Sequence, residues 1–124
     1  EVIYHTDCMM TLFSKHAVVC LDAITDKDER EMVVKELTDP ELNVNPKEII
    51  ELTFKQSANM CANMFNVMDQ NNNHCVVMSK TAHDNHSEEN LHIIEQNYKV
   101  ITADIDIIEK IGGGSARCML VELF

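Results

Sequence analysis

The sequence predicts an α/β fold built from a repeated ββαβα unit, and three observations carry that prediction. Apolar runs of strand length alternate with stretches of helical spacing along the 124 residues, and polar or proline-containing breaks separate them. The order strand, strand, helix, strand, short helix occurs twice in succession. His5, Asn63 and Cys118 fall at comparable places in successive units, 58 and 55 positions apart. A period of this size marks blades or arrays, in which each unit buries its faces against its neighbours.

In the first unit, Val2 to Leu12 and Lys15 to Leu21 (K-H-A-V-V-C-L) are expected as strands. Thr25 to Leu37 has helical spacing at Met32, Val33 and Leu37, with acidic residues in the first turn, where the helix dipole favours them. Pro40 and Pro46 bracket a loop, Lys47 to Leu52 (K-E-I-I-E-L) is a buried strand, and Thr53 to about Met60 is a short amphipathic stretch. In the second unit, strands Asn63 to Met68 and Cys75 to Met78 are joined by the turn D-Q-N-N-N-H, Asp69 to His74. Ser87 N-caps a helix reaching Asn97, with Leu91 and Ile94 on one face. Lys99 to Thr102 is a strand and Asp104 to Lys110 a short helix. Arg117 to Leu123 is expected to open a third unit, so the units run approximately 1–60, 61–115 and 116–124. A chain that starts at Glu1 directly in a strand and stops early in a third unit is expected to be part of a longer protein.

With 45% apolar residues the chain can bury the core of one modest domain. Ten basic against twenty-one acidic residues leave a formal charge of -11, which repels phosphate backbones and anionic lipid. Nucleic-acid and membrane-surface binding are therefore not expected, whereas a cationic or zwitterionic small ligand is favoured, beside the ordinary role of an acidic surface in solubility. No apolar run approaches the roughly 18 residues of a membrane span and no signal peptide opens the chain, so a cytosolic protein is expected. The five cysteines are odd in number and scattered, which argues against a disulfide framework or a zinc ribbon. Cys8, Cys20, Cys61 and Cys75 read as small core residues, and the eight methionines as core filler. His83, His86 and His92, with His74 and Cys75 before them, include an H-x-x-H spacing, but without H-E-x-x-H or an ordered cysteine partner no metal site is expected.

The stretch I-G-G-G-S-A-R-C-M-L holds every glycine of the chain: Gly112, Gly113 and Gly114. One glycine would end the preceding helix. Three in succession permit left-handed torsions and the close approach of other atoms. Neither G-x-G-x-x-G nor a P-loop is present, so a tight turn presenting Cys118 is expected rather than a phosphate site. A cysteine in an apolar strand is ordinarily core. As a nucleophile it needs its thiolate and a base that later serves as acid, and His5, at the matching place of its own unit, supplies one. Arg117, alternating with Cys118 along the expected strand, is expected to face away from it.

The motifs Y-H-T-D-C-M-M (4–10) and I-G-G-G-S-A-R-C-M-L-V-E-L-F (111–124), with V-V-C-L, K-E-I-I-E-L and V-V-M-S, resemble the C-terminal half of the guanidine-modifying enzymes with the five-bladed α/β-propeller (pentein) fold. The likeness runs over nearly the whole chain and is greatest to the bacterial citrulline utilisation hydrolases, often labelled amidinotransferases. It implies a single partial domain over 1–124 with about two and a half blades of the ring. It also implies hydrolysis of a C–N bond in a guanidino or ureido amino acid, without metal or organic cofactor. Cys118 matches the nucleophile that forms a thiouronium-like adduct, and His5 the general acid and base. Asp7, of the H-x-D motif, matches the carboxylate that holds the guanidinium nitrogens, a pairing suited to a planar cationic fork.

Citrulline-directed relatives commonly carry H-T-N here, where Asn suits a neutral ureido group. Asp7 instead favours a charged guanidinium, as in arginine or dimethylarginine. Asn63, in C-A-N-M-F, sits where relatives have G-N, with Ala62 in place of the glycine. It is expected to tie down a turn between blades, with contact to the site as the alternative. Further acidic substrate-binding residues belong to the N-terminal blades of the family. The alternative function is a truncated propeller or pseudoenzyme that only binds, or that assembles with a partner chain or with itself.

Overall fold

The computed structural model describes residues 3–123; Val2, at the start of the first expected strand, and Phe124 lie outside them. Two three-stranded sheets are present. In the first, β1 (Met10–Leu12) pairs antiparallel with β2 (His16–Val19), which pairs in parallel with β3 (Glu48–Glu51). In the second, β4 (Phe65–Met68) pairs antiparallel with β5 (His74–Ser79), which pairs in parallel with β6 (Lys99–Ala103). The sheets have the same order and sense, so the repeated unit read from the sequence is a repeated topology. In each, the central strand is the most buried, because it must be covered on both faces.

Local chemistry explains where the helices begin. For α1 (Lys27–Thr38) the Asp26 side chain accepts from the N–H groups of Asp28 and Glu29 at 2.9 and 3.0 Å. Thr53 and Gln56 form a capping box on α2 (Phe54–Ala58). Ser87 accepts from Asn90 N–H at 3.2 Å to open α4 (Glu88–Asn97). The α3 helix (Lys80–Asn85) has no counterpart in the sequence reading: it is polar, buries only Ala82, and its one signal is Ser79, which accepts from Ala82 N–H at 3.0 Å. After β6 comes α5 (Asp106–Gly112). The face of α1 also differs from expectation. Met32 is 59% exposed, whereas Val33, Val34 and Leu37 are half-buried, so the helix docks one position round from the predicted stripe.

The β4–β5 turn is built by Asp69, whose Oδ1 accepts from Asn71 and Asn73 N–H at 2.8 and 2.9 Å while Asn72 takes a left-handed φ of 62°. One core spans both sheets, with Val18, Ile50 and Leu52 of the first unit against Met64, Val76, Met78 and Ile94 of the second. Burying each of these contributes about 1.5–3 kcal/mol, the main term holding the units together. Tyr98 adds a polar link. Its hydroxyl accepts from Lys15 N–H at 3.1 Å and shares a hydrogen bond with His16 Nδ1 at 2.7 Å, while His16 Nε2 faces Glu48. Burial pushes the His16 pKa down.

Two expected strands are corrected. Among the described residues of the expected strand Val2 to Leu12 only Met10–Leu12 is strand; Thr6–Cys8 is a 3-10 turn closed by Cys8 N–H to His5 O at 3.1 Å and Met9 N–H to Thr6 O at 3.0 Å. Arg117–Met119 is likewise a 3-10 turn, and Leu120 to Leu123 form no strand. A ladder needs a neighbouring strand, and among the described residues none lies beside this segment, so its apolar residues stay exposed.

Candidate active site

The segment carrying Cys118 is shaped by the glycines before it. Gly113 takes φ +71° and its N–H reaches Glu109 O at 3.0 Å, the left-handed residue that ends α5. A Cβ on Gly114 would lie 3.1 Å from Cys118 Cβ and 3.2 Å from its Sγ, so this glycine makes room for the cysteine. At Gly112 an added Cβ would meet nothing nearer than 4.0 Å, and nothing in the structure explains the glycine. The Ser115 hydroxyl donates to the Glu109 carboxylate, both buried, which ties the loop back to α5. Arg117 is directed elsewhere: its guanidinium stacks 4.4 Å from the centre of the Phe65 ring and Nη1 donates to Leu120 O at 3.3 Å. The turn, rather than strand alternation, separates it from Cys118.

Among the described residues the exposed Cys118 Sγ has two hydrogen-bond partners. Asn63 Nδ2 donates to it at 3.1 Å, and its own S–H points to Asp7 Oδ2 at 3.5 Å. Asp7 Oδ1 in turn lies 3.5 Å from His5 Nδ1. The structure thus links His5 to Cys118 through Asp7. The His5 side chain, 69% exposed, lines a neighbouring hollow, with Ile3, Tyr4 and Phe54 as the wall common to both. Two of the residues singled out by the repeat spacing therefore meet at Cys118: Asn63 directly, and His5 by way of Asp7.

The cavity beside Cys118 has a volume of about 190 Å³, with Tyr4, Phe54, Ala58 and Met60 supplying apolar wall and Asn63, Ser57 and the thiols supplying polarity. A larger hollow, about 520 Å³, lies along α1 but is the surface of that one helix and its C-cap and contains none of these residues.

Cys8 belongs to the cavity and not, as expected, to the core. In an extended strand it would point away from Asp7; the Thr6–Cys8 turn brings its thiol to 3.9 Å from Asp7 Oδ1. Burial, with the negative charges of Asp7 and Cys118, pushes the Cys8 thiol pKa up. The Tyr4 phenol is pushed up chiefly by the charge of Cys8, and its hydroxyl donates to Gly113 O at 3.2 Å. Cys20, Cys61 and Cys75 are buried, and burial pushes the Cys61 thiol up to about 12.

Asn63 follows a turn in which Met60 takes a left-handed φ of 64° and Asn63 N–H reaches Met60 O at 2.9 Å. Its side chain, 1% exposed, accepts from Arg117 N–H at 2.9 Å through Oδ1. It therefore touches both the loop main chain and the sulfur.

The histidines of the H-x-x-H do not converge. His83 lies between Asp84 and Glu95 at 3.4 and 3.6 Å. His86 is buried with neither ring nitrogen hydrogen-bonded, and burial, with the His83 charge in the same direction, pulls its pKa down to about 4. The Cys61 main chain is close enough to pull the other way without meeting hydrogen-bond geometry, and burial prevails. Among the described residues no three His, Cys, Asp or Glu side chains are grouped to hold a metal ion, and no helix is long and apolar enough to cross a membrane.

A family model described as N,N dimethylarginine dimethylhydrolase, eukaryotic, matches residues 1–124. No curated protein sequence matches the chain. Among solved structures it is similar to the apo crystal structure of ArgZ, an arginine dihydrolase from the ornithine-ammonia cycle in cyanobacteria. The TM-score is 0.64 at 20% identity, over 93% of this chain and 15% of that one. At that identity the likeness is one of fold, and the chain spans a small part of that protein's length.

Proposed function

Because the chain belongs to the eukaryotic dimethylarginine dimethylhydrolase family, within the pentein superfamily, we propose that it is the nucleophile-bearing part of a hydrolase that cleaves a C–N bond of a guanidino substrate. The observation that carries this reading is the exposed Cys118 sulfur, 3.5 Å from the Asp7 carboxylate that also pairs with His5. A guanidinium seated on Asp7 brings its central carbon against Sγ and sets its positive charge beside the sulfur. The Cys118 thiol gives its proton to His5 as sulfur attacks that carbon, the C–N bond to the departing amine breaks, and His5 passes the proton to the amine, leaving a thiouronium-like adduct. His5 then takes a proton from water as the water adds, the C–S bond breaks, and that proton passes to the departing sulfur to return the thiol and a ureido product. The exposed His5 ring is free to turn between Asp7 and the departing amine.

Asp7 supports a cationic guanidinium over neutral citrulline, and the apolar wall of Tyr4, Phe54 and Met60 suits N-methyl groups on it. Further substrate contacts and the remaining blades of a ring belong to the proposal, as does a cytosolic setting. A cationic haloacetamidine tests the reading. Selective labelling of Cys118, abolished in Cys118→Ala and weakened in His5→Ala, is the expected result. Equal labelling of all five thiols overturns it. In turnover, citrulline formed from arginine or methylated arginine is expected, and ornithine formed from citrulline would move the substrate to the ureido class.

A second reading has its own observation. Ile107, Ile111, Val121 and Leu123 are 71–93% exposed, an apolar surface that favours assembly with a partner chain or a second copy, in which the site only binds. Sedimentation distinguishes it: a concentration-dependent oligomer whose Cys118 does not label selectively supports this reading over the first.

A further inference from the structure

We propose that Asn63 is a positioning residue for Cys118, holding its sulfur in place and stabilising negative charge on it; the inference rests on the reading of Cys118 as the nucleophile. Two hydrogen bonds from one buried side chain carry it: Oδ1 accepts from Arg117 N–H at 2.9 Å and Nδ2 donates to Cys118 Sγ at 3.1 Å. The orientation of the amide is fixed. A flip would set the side-chain NH₂ against the Arg117 N–H, two donors face to face, so only the observed arrangement satisfies both ends. Asn63 is 1% exposed, and its backbone is anchored to Met60 O. Its N–H is therefore presented to the sulfur without a reorganisation cost, the property that makes a fixed donor effective toward developing charge.

The other groups around the sulfur do not duplicate this. Asp7 accepts from the thiol and offers it no donor. Cys8 shares that carboxylate, His5 lies beyond it, and Tyr4 donates to Gly113 O. Asn63 is thus the donor that favours the charged sulfur, in a site that otherwise relies on the incoming cation. Its unit of the repeat contributes this amide at the place where the first unit contributes His5.

The test uses iodoacetamide, a neutral reagent that needs no substrate site, with Cys118 alkylation followed by peptide mass spectrometry between pH 7 and pH 10. Asn63→Asp keeps the acceptor for Arg117 N–H but turns the donor toward sulfur into a carboxylate oxygen. Cys118 is expected to react about tenfold more slowly at pH 7, as suits loss of a hydrogen bond to a charged group. The gap narrows toward pH 10, where thiols ionise without help. Asn63→Ser, too short to span both partners, gives the same pattern with less buried charge and serves should the carboxylate unfold the chain. An unchanged rate at pH 7 in a folded variant overturns the proposal, and so does equal slowing across the pH range, which marks displacement alone. Selective amidine labelling reports separately on Cys118 as the nucleophile, so the failure of either reading is distinguishable from that of the other.

Discussion

Three adjacent glycines that look equivalent in the sequence are expected to respond to alanine in three different ways. At Gly114 the new methyl would stand 3.1 Å from Cys118 Cβ and 3.2 Å from Sγ. Carbon atoms settle about 3.5–4.0 Å apart, so the contact is roughly half an ångström too short. Cys118 must give way, and movement lengthens or bends its contacts to Asn63 at 3.1 Å and Asp7 at 3.5 Å. Crowding of this kind costs about 1–3 kcal/mol. At Gly113 nothing lies within 4 Å, but φ is +71°, and a side chain there costs about 1 kcal/mol of backbone strain without touching the site. At Gly112 there is neither crowding nor a left-handed torsion, and alanine at this helix end stabilises by up to about 1 kcal/mol. Urea unfolding measures stability, and iodoacetamide labelling of Cys118 measures the site. Gly114→Ala is expected to lower both, Gly113→Ala stability alone, and Gly112→Ala neither. Wild-type labelling in Gly114→Ala, or an equal loss in Gly112→Ala, would refute the reasoning.

His86 makes stability depend on pH with a definite sign. Its folded pKa of about 4 lies below the ordinary value of 6.5, so the unfolded chain takes up the proton first; stability is complete above pH 6.5 and falls by about 3 kcal/mol as pH drops through 4. Urea midpoints at pH 7.5 and 4.5 should differ less in His86→Leu than in the parent, and an unchanged difference counts against the assignment. Tyr98→Phe leaves Lys15 N–H and His16 Nδ1 without their shared partner and should cost about 1–3 kcal/mol in the same assay, with Cys118 labelling unaffected. Timed alkylation of the native protein should modify Cys118 first, Cys8 more slowly because burial and Asp7 push its thiol up, and Cys20, Cys61 and Cys75 only on unfolding. Native labelling of Cys61 at the Cys118 rate would contradict the burial on which this order rests.

Regular elements were legible where a local pattern is also the tertiary one. The Asp69–Asn73 turn, the Ser87 cap and the strands around Val18, Ile50 and Val76 could be read because side-chain caps and buried runs are local features that tertiary packing leaves in place. The α3 helix was not legible, since six polar-biased residues with one buried alanine show no period. The 3-10 turns at Thr6–Cys8 and Arg117–Met119 read as strand in the sequence because apolar content marks burial or a ladder only when a neighbour exists to provide it.

The same division runs through the site. Composition and spacing were enough to single out Cys118, His5 and the glycines, the 58- and 55-residue period placed Asn63 at the equivalent point, and Asp7 came from the resemblance of the H-x-D motif. Only the tertiary structure decided that Asp7 stands between His5 and the sulfur, that Cys8 shares the cavity, and that Asn63 donates to Cys118. The physical reason is that a repeat period specifies which residues occupy equivalent places. Which of their atoms meet depends on turns of a few residues, whose geometry is set by the packing of two units around one core.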